Sequence, residues 1–298
     1  MIKMKYSQFI IILIVTLFLS FSLSGCEVFR NNIESNYDDS KITITTSLPV
    51  IKSITNELFY NTNVSINYIT EKQIDPAFYL EYPYNLHKKL NSDILLMSGN
   101  SDNWILELVD RDHFSDIIVL NSFSSPIGNH YNYWFDLDAV ISYSNSILNL
   151  IRNDYHEFYL ENEEQLNYNF ENFKYKVNNI IDDNTELYYS DVISIKPSFI
   201  YLFSNFRMNN YGHLFNNIDY KISLKDIDDF FEIIKTQEIS CLVNDNYFDK
   251  NIYNNLFNEI NLKNKSINEI YLNLQPNINE NYSSFIKREV TKLKECII

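Results

Sequence analysis

Short apolar runs with the length and composition of β-strands alternate with helical runs along most of the chain. The strand-like runs that follow Lys41 are 42–46, 64–69, 93–97, 117–120, 186–189, 239–243 and 269–272. Helical runs over 48–58 and 136–151 lie between the early strands or directly after them. Strands that are separated by helices are typical of parallel βαβ units, so we predict an α/β fold.

The clearest helical pattern lies in the middle of the chain. Its apolar residues recur at steps of four, three, four and three, and they are Leu166, Phe170, Phe173, Val177 and Ile180. This spacing places them on one face of a long amphipathic helix. We therefore predict two α/β lobes, over 41–153 and 184–298, that are bridged by one long helix over 154–183.

Two further helices are predicted in the second lobe. Ser223 begins the first of them, with Asp226 as its capping-box partner. Its buried face is expected to carry Leu224, Ile227, Phe231 and Ile234. The last helix covers 283–298, and its inward residues are Phe285, Ile286, Val290, Leu293 and Ile297.

The first 40 residues have the pattern of a secretion signal followed by a polar tether. Lys3 and Lys5 precede an apolar stretch over 9–23, which ends in Leu23-Ser24-Gly25-Cys26. That tetrapeptide resembles the bacterial lipobox, in which the cysteine after the cleavage site carries lipid. We expect a signal peptide over 1–25, lipid on Cys26 and a tether over 26–40. An uncleaved anchor is the alternative, but the stretch is shorter than the roughly 20 residues that span a membrane.

Composition narrows the possible functions. The formal net charge is −15, which argues against nucleic acid or anionic lipid headgroups as partners. The chain has four glycines, no Gly-x-Ser-x-Gly motif and no phosphate-binding glycine loop, so we expect no enzyme. Apart from Cys26, the cysteines are Cys241 and Cys296, and two buried thiols are favoured over one disulfide.

Five segments occur in an order that resembles the zinc/manganese solute-binding lipoproteins of bacterial ABC importers. They begin with Lys41-Ile-Thr-Ile-Thr-Thr, Asp75-Pro-Ala-Phe-Tyr, Leu90-Asn-Ser-Asp, Asn132-Tyr-Trp-Phe-Asp and Ser223-Leu-Lys-Asp. The resemblance implies two α/β lobes bridged by a backbone helix, with one metal ion in the cleft between them. It also implies an ABC permease as partner, a monomer, and a lipid-anchored location at the cell membrane that faces the outside or the periplasm.

The metal ligands that the resemblance implies, three imidazoles and a carboxylate, are substituted in this sequence. Their positions fall on Ala77, Asn132, Ser190 and Asn273, with Asp191 beside the third. Methyl, amide and hydroxyl groups do not replace the imidazole nitrogen that zinc prefers. We therefore expect no metal site and no cofactor, unless other residues rebuild a site for a divalent zinc or manganese ion.

Aromatic residues next to these positions suggest a different cleft lining. Phe78, Tyr79 and Tyr133 are candidates to contact an organic ligand, although ordinary core packing is an alternative. The five histidines lack the spacing of a zinc pair. The sequence thus predicts a membrane-anchored solute-binding lipoprotein of an ABC importer with a degenerate metal site. The alternative is a surface interaction protein, an adhesin or scaffold, that has this fold and no cleft ligand.

Overall fold

Two four-stranded parallel sheets form the framework of the protein. We describe a computed structural model over residues 41–70, 92–108, 114–124, 132–215, 223–247 and 267–297. Within these ranges the strands are β1 (Thr43–Thr46), β2 (Ser65–Tyr68), β3 (Ile94–Met97), β4 (Asp116–Val119), β5 (Asp191–Ser194), β6 (Asn209–His213), β7 (Cys241–Asp245) and β8 (Asn268–Leu272). The strand runs that the sequence predicts in the first lobe are confirmed, as are those around β7 and β8.

The two sheets have equivalent strand orders, β2-β1-β3-β4 and β6-β5-β7-β8. Ile44 pairs with Ile94 in the first sheet, and Val192 pairs with Cys241 in the second. The inner strands β3 and β7 are buried at every residue. This explains their continuous apolar pattern, because parallel sheets are covered by other elements on both faces. The predicted α/β class is confirmed.

Seven α-helices accompany these strands in the described residues. They are α1 (Pro49–Leu58), α2 (Trp104–Leu108), α3 (Leu137–Asp154), α4 (His156–Asp182), α5 (Ile200–Asn205), α6 (Leu224–Thr236) and α7 (Tyr282–Ile297). Asp136 caps α3, because its carboxylate accepts a hydrogen bond from the Ala139 amide at 3.0 Å. None of these helices is long and apolar enough to span a membrane.

The long helix α4 contacts helices of both lobes, including the preceding helix α3. It also packs against α1 and α7. Of its predicted apolar stripe, Leu166, Phe173, Val177 and Ile180 are buried. Asn169, also buried, donates hydrogen bonds to the carbonyl oxygens of Leu58 and Tyr60 at 3.0 and 2.7 Å. The predicted bridging helix is therefore present, with both apolar and polar contacts to its neighbours.

The largest apolar cluster contains residues of both sheets. Ile44 and Leu96 of the first sheet belong to the same cluster as Val192 and Val243 of the second. A smaller cluster lies in each lobe. Residues from Ile42 onward form one compact unit, so the two lobes share a continuous core.

Helix α6 has the predicted N-terminal cap, but its buried face differs from the predicted one. The Ser223 hydroxyl accepts from the Asp226 amide at 3.1 Å, and the Asp226 carboxylate accepts from the Ser223 amide at 2.8 Å. The predicted capping box is confirmed. Leu224, however, is 82% exposed, and Phe230 and Ile234 are the buried residues. Leu224 lies in the first turn, beyond the part of the helix that contacts the core.

The strand predicted over 186–189 is wrong. Residues Thr185–Leu187 form a 3₁₀ turn, and Tyr189 has a φ of 63°, which lies in the left-handed region. The strand begins only at Asp191. Polar and apolar residues alternate around Glu186 because the turn buries Leu187 and leaves its neighbours more exposed. Over so few residues, this alternation is the same as that of a half-buried strand.

The preference for two buried thiols is also wrong. Cys241 and Cys296 form a disulfide with a Cα–Cα distance of 5.6 Å. Cys241 is the first residue of β7 and Cys296 lies in the last turn of α7, which packs along β7 and β8. The two residues are 55 positions apart, so the sequence gives no sign that this packing brings them together.

Candidate functional site

The carboxyl ends of the strands place polar residues of both sheets at facing edges. The Val50 amide, four residues after β1, donates to the Gln275 side-chain oxygen at 3.1 Å, and Gln275 lies three residues after β8. Asn132 donates to the carbonyl oxygen of Ser198, which lies beyond the end of β5, at 3.0 Å. Ligands of open parallel sheets bind outside the carboxyl ends of the strands. This region is therefore the candidate site.

At the edge of the first sheet, a buried carboxyl joins the ends of β1 and β3. Asp102 accepts hydrogen bonds from the amides of Ser98 and Gly99, both at 2.7 Å, and from the Ser47 hydroxyl. Burial raises the pKa of Asp102 to about 6, although each of these hydrogen bonds favours the charged form. Asp102 therefore holds the loop after β3 against the loop after β1.

At the edge of the second sheet, a lysine and an aspartate form a buried ion pair. The Lys196 ammonium lies 3.0 and 3.3 Å from the two carboxylate oxygens of Asp245. Their side chains are only 6% and 0% exposed. The Ser198 hydroxyl donates to the same carboxylate at 3.3 Å, and Asn132 donates to the Ser198 carbonyl. We refer to Asn132, Lys196, Ser198 and Asp245 as the cleft cluster.

Local structure explains why Lys196 reaches this position. The Ile195 amide donates to the Val243 carbonyl at 3.0 Å, which continues the pairing of β5 with β7. Lys196 has an extended backbone and directly precedes the 3₁₀ turn Pro197–Phe199. The residue before a proline favours this extended conformation. The chain thus leaves the sheet at Lys196, directly beside the last residue of β7, Asp245.

The carboxylate of Asp245 is saturated by its neighbours. Besides the ammonium and the Ser198 hydroxyl, it accepts from the Tyr247 amide at 2.9 Å. A charged group this deeply buried is stable only when it is paired and hydrogen-bonded. The cleft cluster is consequently compact and balanced in charge, and its one carboxylate is already neutralised.

Two of the predicted cleft residues lie at this interface between the lobes. Asn132 belongs to the cleft cluster and is 9% exposed. Tyr133 is buried, its hydroxyl accepts from the Asn100 amide group at 2.9 Å, and its ring centre lies 5.5 Å from that of Tyr201 in α5. The predicted residues Ala77, Phe78 and Tyr79 lie outside the described part of the chain.

Three other predicted positions lie elsewhere or point to other partners. Ser190 and Asp191 lie at the amino end of β5, since the strand starts at Asp191. Four residues of strand, roughly 13 Å, separate them from the carboxyl edge. Asn273 does follow β8, but its side chain binds the Glu289 carboxylate at 3.2 Å and contacts Asn246. The position after β5 that Ser190 was expected to supply is taken by Lys196.

Sequence reasoning missed Lys196, Asp245 and Gln275. Because the strand was predicted over 186–189, the end of the strand was expected at Ser190, and Lys196 was not considered as a site residue. A signal was nevertheless present, because Ser194-Ile-Lys-Pro ends an apolar run with a charge and a proline. Asp245 lies only two residues beyond the strand predicted over 239–243.

The described residues contain no group of three or more histidine, cysteine, aspartate or glutamate side chains that is suited to a metal ion. His156 is exposed on α4 and lies 3.3 Å from the Arg152 carbonyl oxygen, and His213 ends the outer strand β6. His87, His113 and His130 lie outside the described residues, as do Cys26 and the leader. The donors at the candidate site are therefore amides, a hydroxyl and one paired carboxylate.

Two parallel sheets with facing carboxyl edges, joined by a long helix, define a solute-binding protein of the metal type. The chain belongs to the family described as zinc-uptake complex component A, periplasmic, whose model matches residues 44–296. This family binds solutes and is not enzymatic, so the chain is a binding protein and not an enzyme. The resemblance deduced from the sequence is confirmed at the level of the family.

Several solved structures share this fold. FpvC of Pseudomonas aeruginosa, in complex with Mn²⁺, is 11% identical and has a TM-score of 0.71, with 86% of this chain and 98% of that chain covered. Zn(II)-bound AdcAII of Streptococcus pneumoniae, an E280Q variant, is 13% identical with a TM-score of 0.69, covering 87% and 100%. The laminin-binding protein Lmb of Streptococcus agalactiae, a bifunctional protein with adhesin and metal-transporting activity, is 11% identical with a TM-score of 0.70, covering 87% and 100%. No curated protein sequence matches this chain.

Proposed function

We propose that this protein is the membrane-anchored solute-binding lipoprotein of an ABC importer, and that its solute is not a transition-metal ion. Family membership and the two-lobed fold support the importer role. The observation that carries the second part is the cleft cluster. At the edge where a solute binds, the second lobe presents Lys196 paired with Asp245, and the first contributes the amide of Asn132.

The cleft cluster does not fit a zinc or manganese ion. Zinc favours imidazole nitrogen and thiolate, and manganese favours several oxygen donors that include free carboxylates. Here the carboxylate of Asp245 is neutralised by an ammonium 3.0 Å away. A divalent ion beside that ammonium would face like-charge repulsion in a buried, low-dielectric site. A solute with its own polar groups, or no solute, suits the site better.

The disulfide supports an extracytoplasmic location. Disulfides persist in oxidising compartments and are rare in the cytosol. Cys241–Cys296 is therefore consistent with export by the leader over 1–25 and retention through lipid on Cys26. The tether 26–40 would join the lipid to the first lobe (41–153), the bridging helix (154–183) and the second lobe (184–298). We propose a monomer that faces outward, with an ABC permease and the membrane as its contacts and no nucleic acid.

Lipid attachment can be measured directly by metabolic labelling. We expect a clickable fatty acid to label the full-length chain and the membrane fraction to contain it. Cys26→Ala should remove the label and release the protein, since stable anchoring requires the acyl chains. Label that persists in Cys26→Ala, or an unlabelled wild-type chain, would contradict the anchor. Cys241→Ala is the matched control, because it removes a cysteine from the folded domain.

The importer role is tested by capture of the permease. Full-length protein with a photo-crosslinker at exposed lobe positions should cross-link to an ABC permease subunit in membranes of its own host. Tyr60 and Leu224 are suitable positions, because both side chains are exposed. Cross-links to extracellular proteins only, with no permease subunit, would contradict the importer role.

A surface interaction protein is the second candidate, and one observation favours it. The cleft is tightly packed at four residues that are each less than a tenth exposed, and these are Asn132, Tyr133, Lys196 and Asp245. One structural neighbour, Lmb, combines adhesin and metal-transporting activity. Binding of the purified protein to host matrix proteins, without any permease cross-link, would favour this candidate.

A further inference from the structure

The Lys196–Asp245 pair differs from the other ion pairs of the described residues. Both of its side chains are less than a tenth exposed. Glu57 and Glu289 are equally buried carboxylates, but their lysine and arginine partners, Lys176, Arg288 and Lys292, are 25–43% exposed. Those cations extend into the core from the surface, as long basic side chains commonly do. Lys196 instead has its whole side chain inside the molecule.

The position of this ammonium is as unusual as its burial. It lies at the carboxyl ends of the two central strands, β5 and β7, with the Ser198 hydroxyl on the same carboxylate. The carboxyl edge of a parallel sheet is where such folds hold a ligand. We propose that the Lys196 ammonium is a cation supplied by the chain itself, which fills a cation position at this edge and excludes a free divalent ion from Asp245.

A covalently attached cation has a clear advantage over a free ion. Lys196 is delivered to Asp245 by the fold, so no ion needs to be captured from solution, and its effective concentration is very high. A competing ion would have to displace the ammonium from Asp245 while both groups stay buried. Stranding one member of a buried pair is strongly unfavourable. Lys196 is thus the residue that determines cation specificity here.

The test removes the ammonium and restores it from solution. Lys196→Ala deletes three carbons and the ammonium, which together have the size of n-propylammonium. We expect the variant to melt roughly 10 °C below wild type, because removing one partner of a buried ion pair is strongly destabilising. Added n-propylammonium should raise its melting temperature saturably by several degrees. Neutral 1-propanol of the same size should not.

The matched control is Lys225→Ala, which breaks a lysine–aspartate pair on the surface. The Lys225 ammonium lies 4.0 Å from Asp229, and the two side chains are 84% and 61% exposed. We expect the melting temperature of Lys225→Ala to equal that of wild type and not to change when n-propylammonium is added. Equal responses of Lys196→Ala to the amine and the alcohol would overturn the proposal, since packing alone would then explain the effect. A melting temperature equal to that of wild type would also overturn it.

A double variant keeps the proposal testable if Lys196→Ala does not fold. Lys196→Met with Asp245→Asn removes both charges and nearly conserves volume, and we expect it to regain most of the stability that Lys196→Met alone loses. Lys196→His should in addition bind Mn²⁺ or Zn²⁺ at least tenfold more tightly than wild type. No recovery in the double variant, or no gain in Lys196→His, would contradict the built-in cation.

Only the consequence for the transported solute rests on the proposed function. Failure of the amine rescue would remove the role of Lys196 and leave the importer role standing. Failure to find a permease would leave the cation assignment intact. The two outcomes are therefore distinguishable.

Discussion

Asp102 is a buried carboxyl group whose protonation is coupled to folding. Burial raises its pKa from 3.8 to about 6 in the folded protein. The folded state therefore holds the proton more tightly than the unfolded state, and this group favours folding most below pH 4. As the pH rises from 4 to 6, the contribution of Asp102 to the free energy of unfolding declines by roughly 3 kcal/mol in total.

Asp102→Asn should remove that pH dependence. We expect the stability advantage of wild type over this variant to shrink between pH 4 and 6, as measured by urea unfolding at several pH values. Asp226→Asn provides a control of opposite sign, because the Ser223 hydroxyl and amide lower the pKa of Asp226. Asp226→Asn should be less stable than wild type at neutral pH, and this difference should disappear in acid. A constant difference for Asp102→Asn across this range would contradict the account.

Gly99 and Gly212 separate the effect of a clash from that of backbone strain. Both have positive φ values, 132° and 116°, which side-chain-bearing residues rarely adopt. A Cβ at Gly99 would lie 2.6 Å from the Asn121 side chain, whereas nothing lies within 4 Å of one at Gly212. We expect Gly212→Ala to cost about 1–2 kcal/mol and Gly99→Ala about 2 kcal/mol more. Equal losses in denaturant unfolding would show that Asn121 moves aside freely.

At the scale of secondary-structure elements, the disulfide ties the first residue of β7 to the last turn of α7. It closes a loop of 55 residues, and such a cross-link typically stabilises a fold by about 2–4 kcal/mol. We expect reductant to lower the melting temperature of the wild-type protein by several degrees. The double variant Cys241→Ser with Cys296→Ser should melt at that lower temperature, and reductant should not change its melting temperature. A wild-type protein that is insensitive to full reduction would contradict this contribution.

Most elements could be predicted from the sequence because their patterns are long or specific. The apolar stripe of α4 extends over four turns, and the capping box of α6 marks its first residue. The prediction of a strand over 186–189 was wrong because a pattern of only four residues does not distinguish a half-buried strand from a turn. That one error displaced the expected site from Lys196 to Ser190, because the site lies where the strand ends.

The interface between the two lobes was less accessible to sequence reasoning than either lobe. Glu57 of α1 accepts hydrogen bonds from the amide and hydroxyl of Ser283 at the start of α7, at 2.7 and 2.9 Å. Tyr282 donates to the Trp134 carbonyl at 2.7 Å. These partners lie 148 or more positions apart, and no local pattern links them. The fold class was therefore predictable from the sequence, whereas these contacts between the lobes depend on the tertiary structure.

For the whole molecule, the central claim is that the site has exchanged a bound transition-metal ion for groups of the chain itself. The most direct measurement is elemental analysis of the protein purified without its leader, followed by calorimetric titration with Zn²⁺ and Mn²⁺. We expect no stoichiometric metal and no dissociation constant below about a micromolar, roughly 8 kcal/mol of binding free energy. A one-to-one complex with a nanomolar dissociation constant would contradict the account.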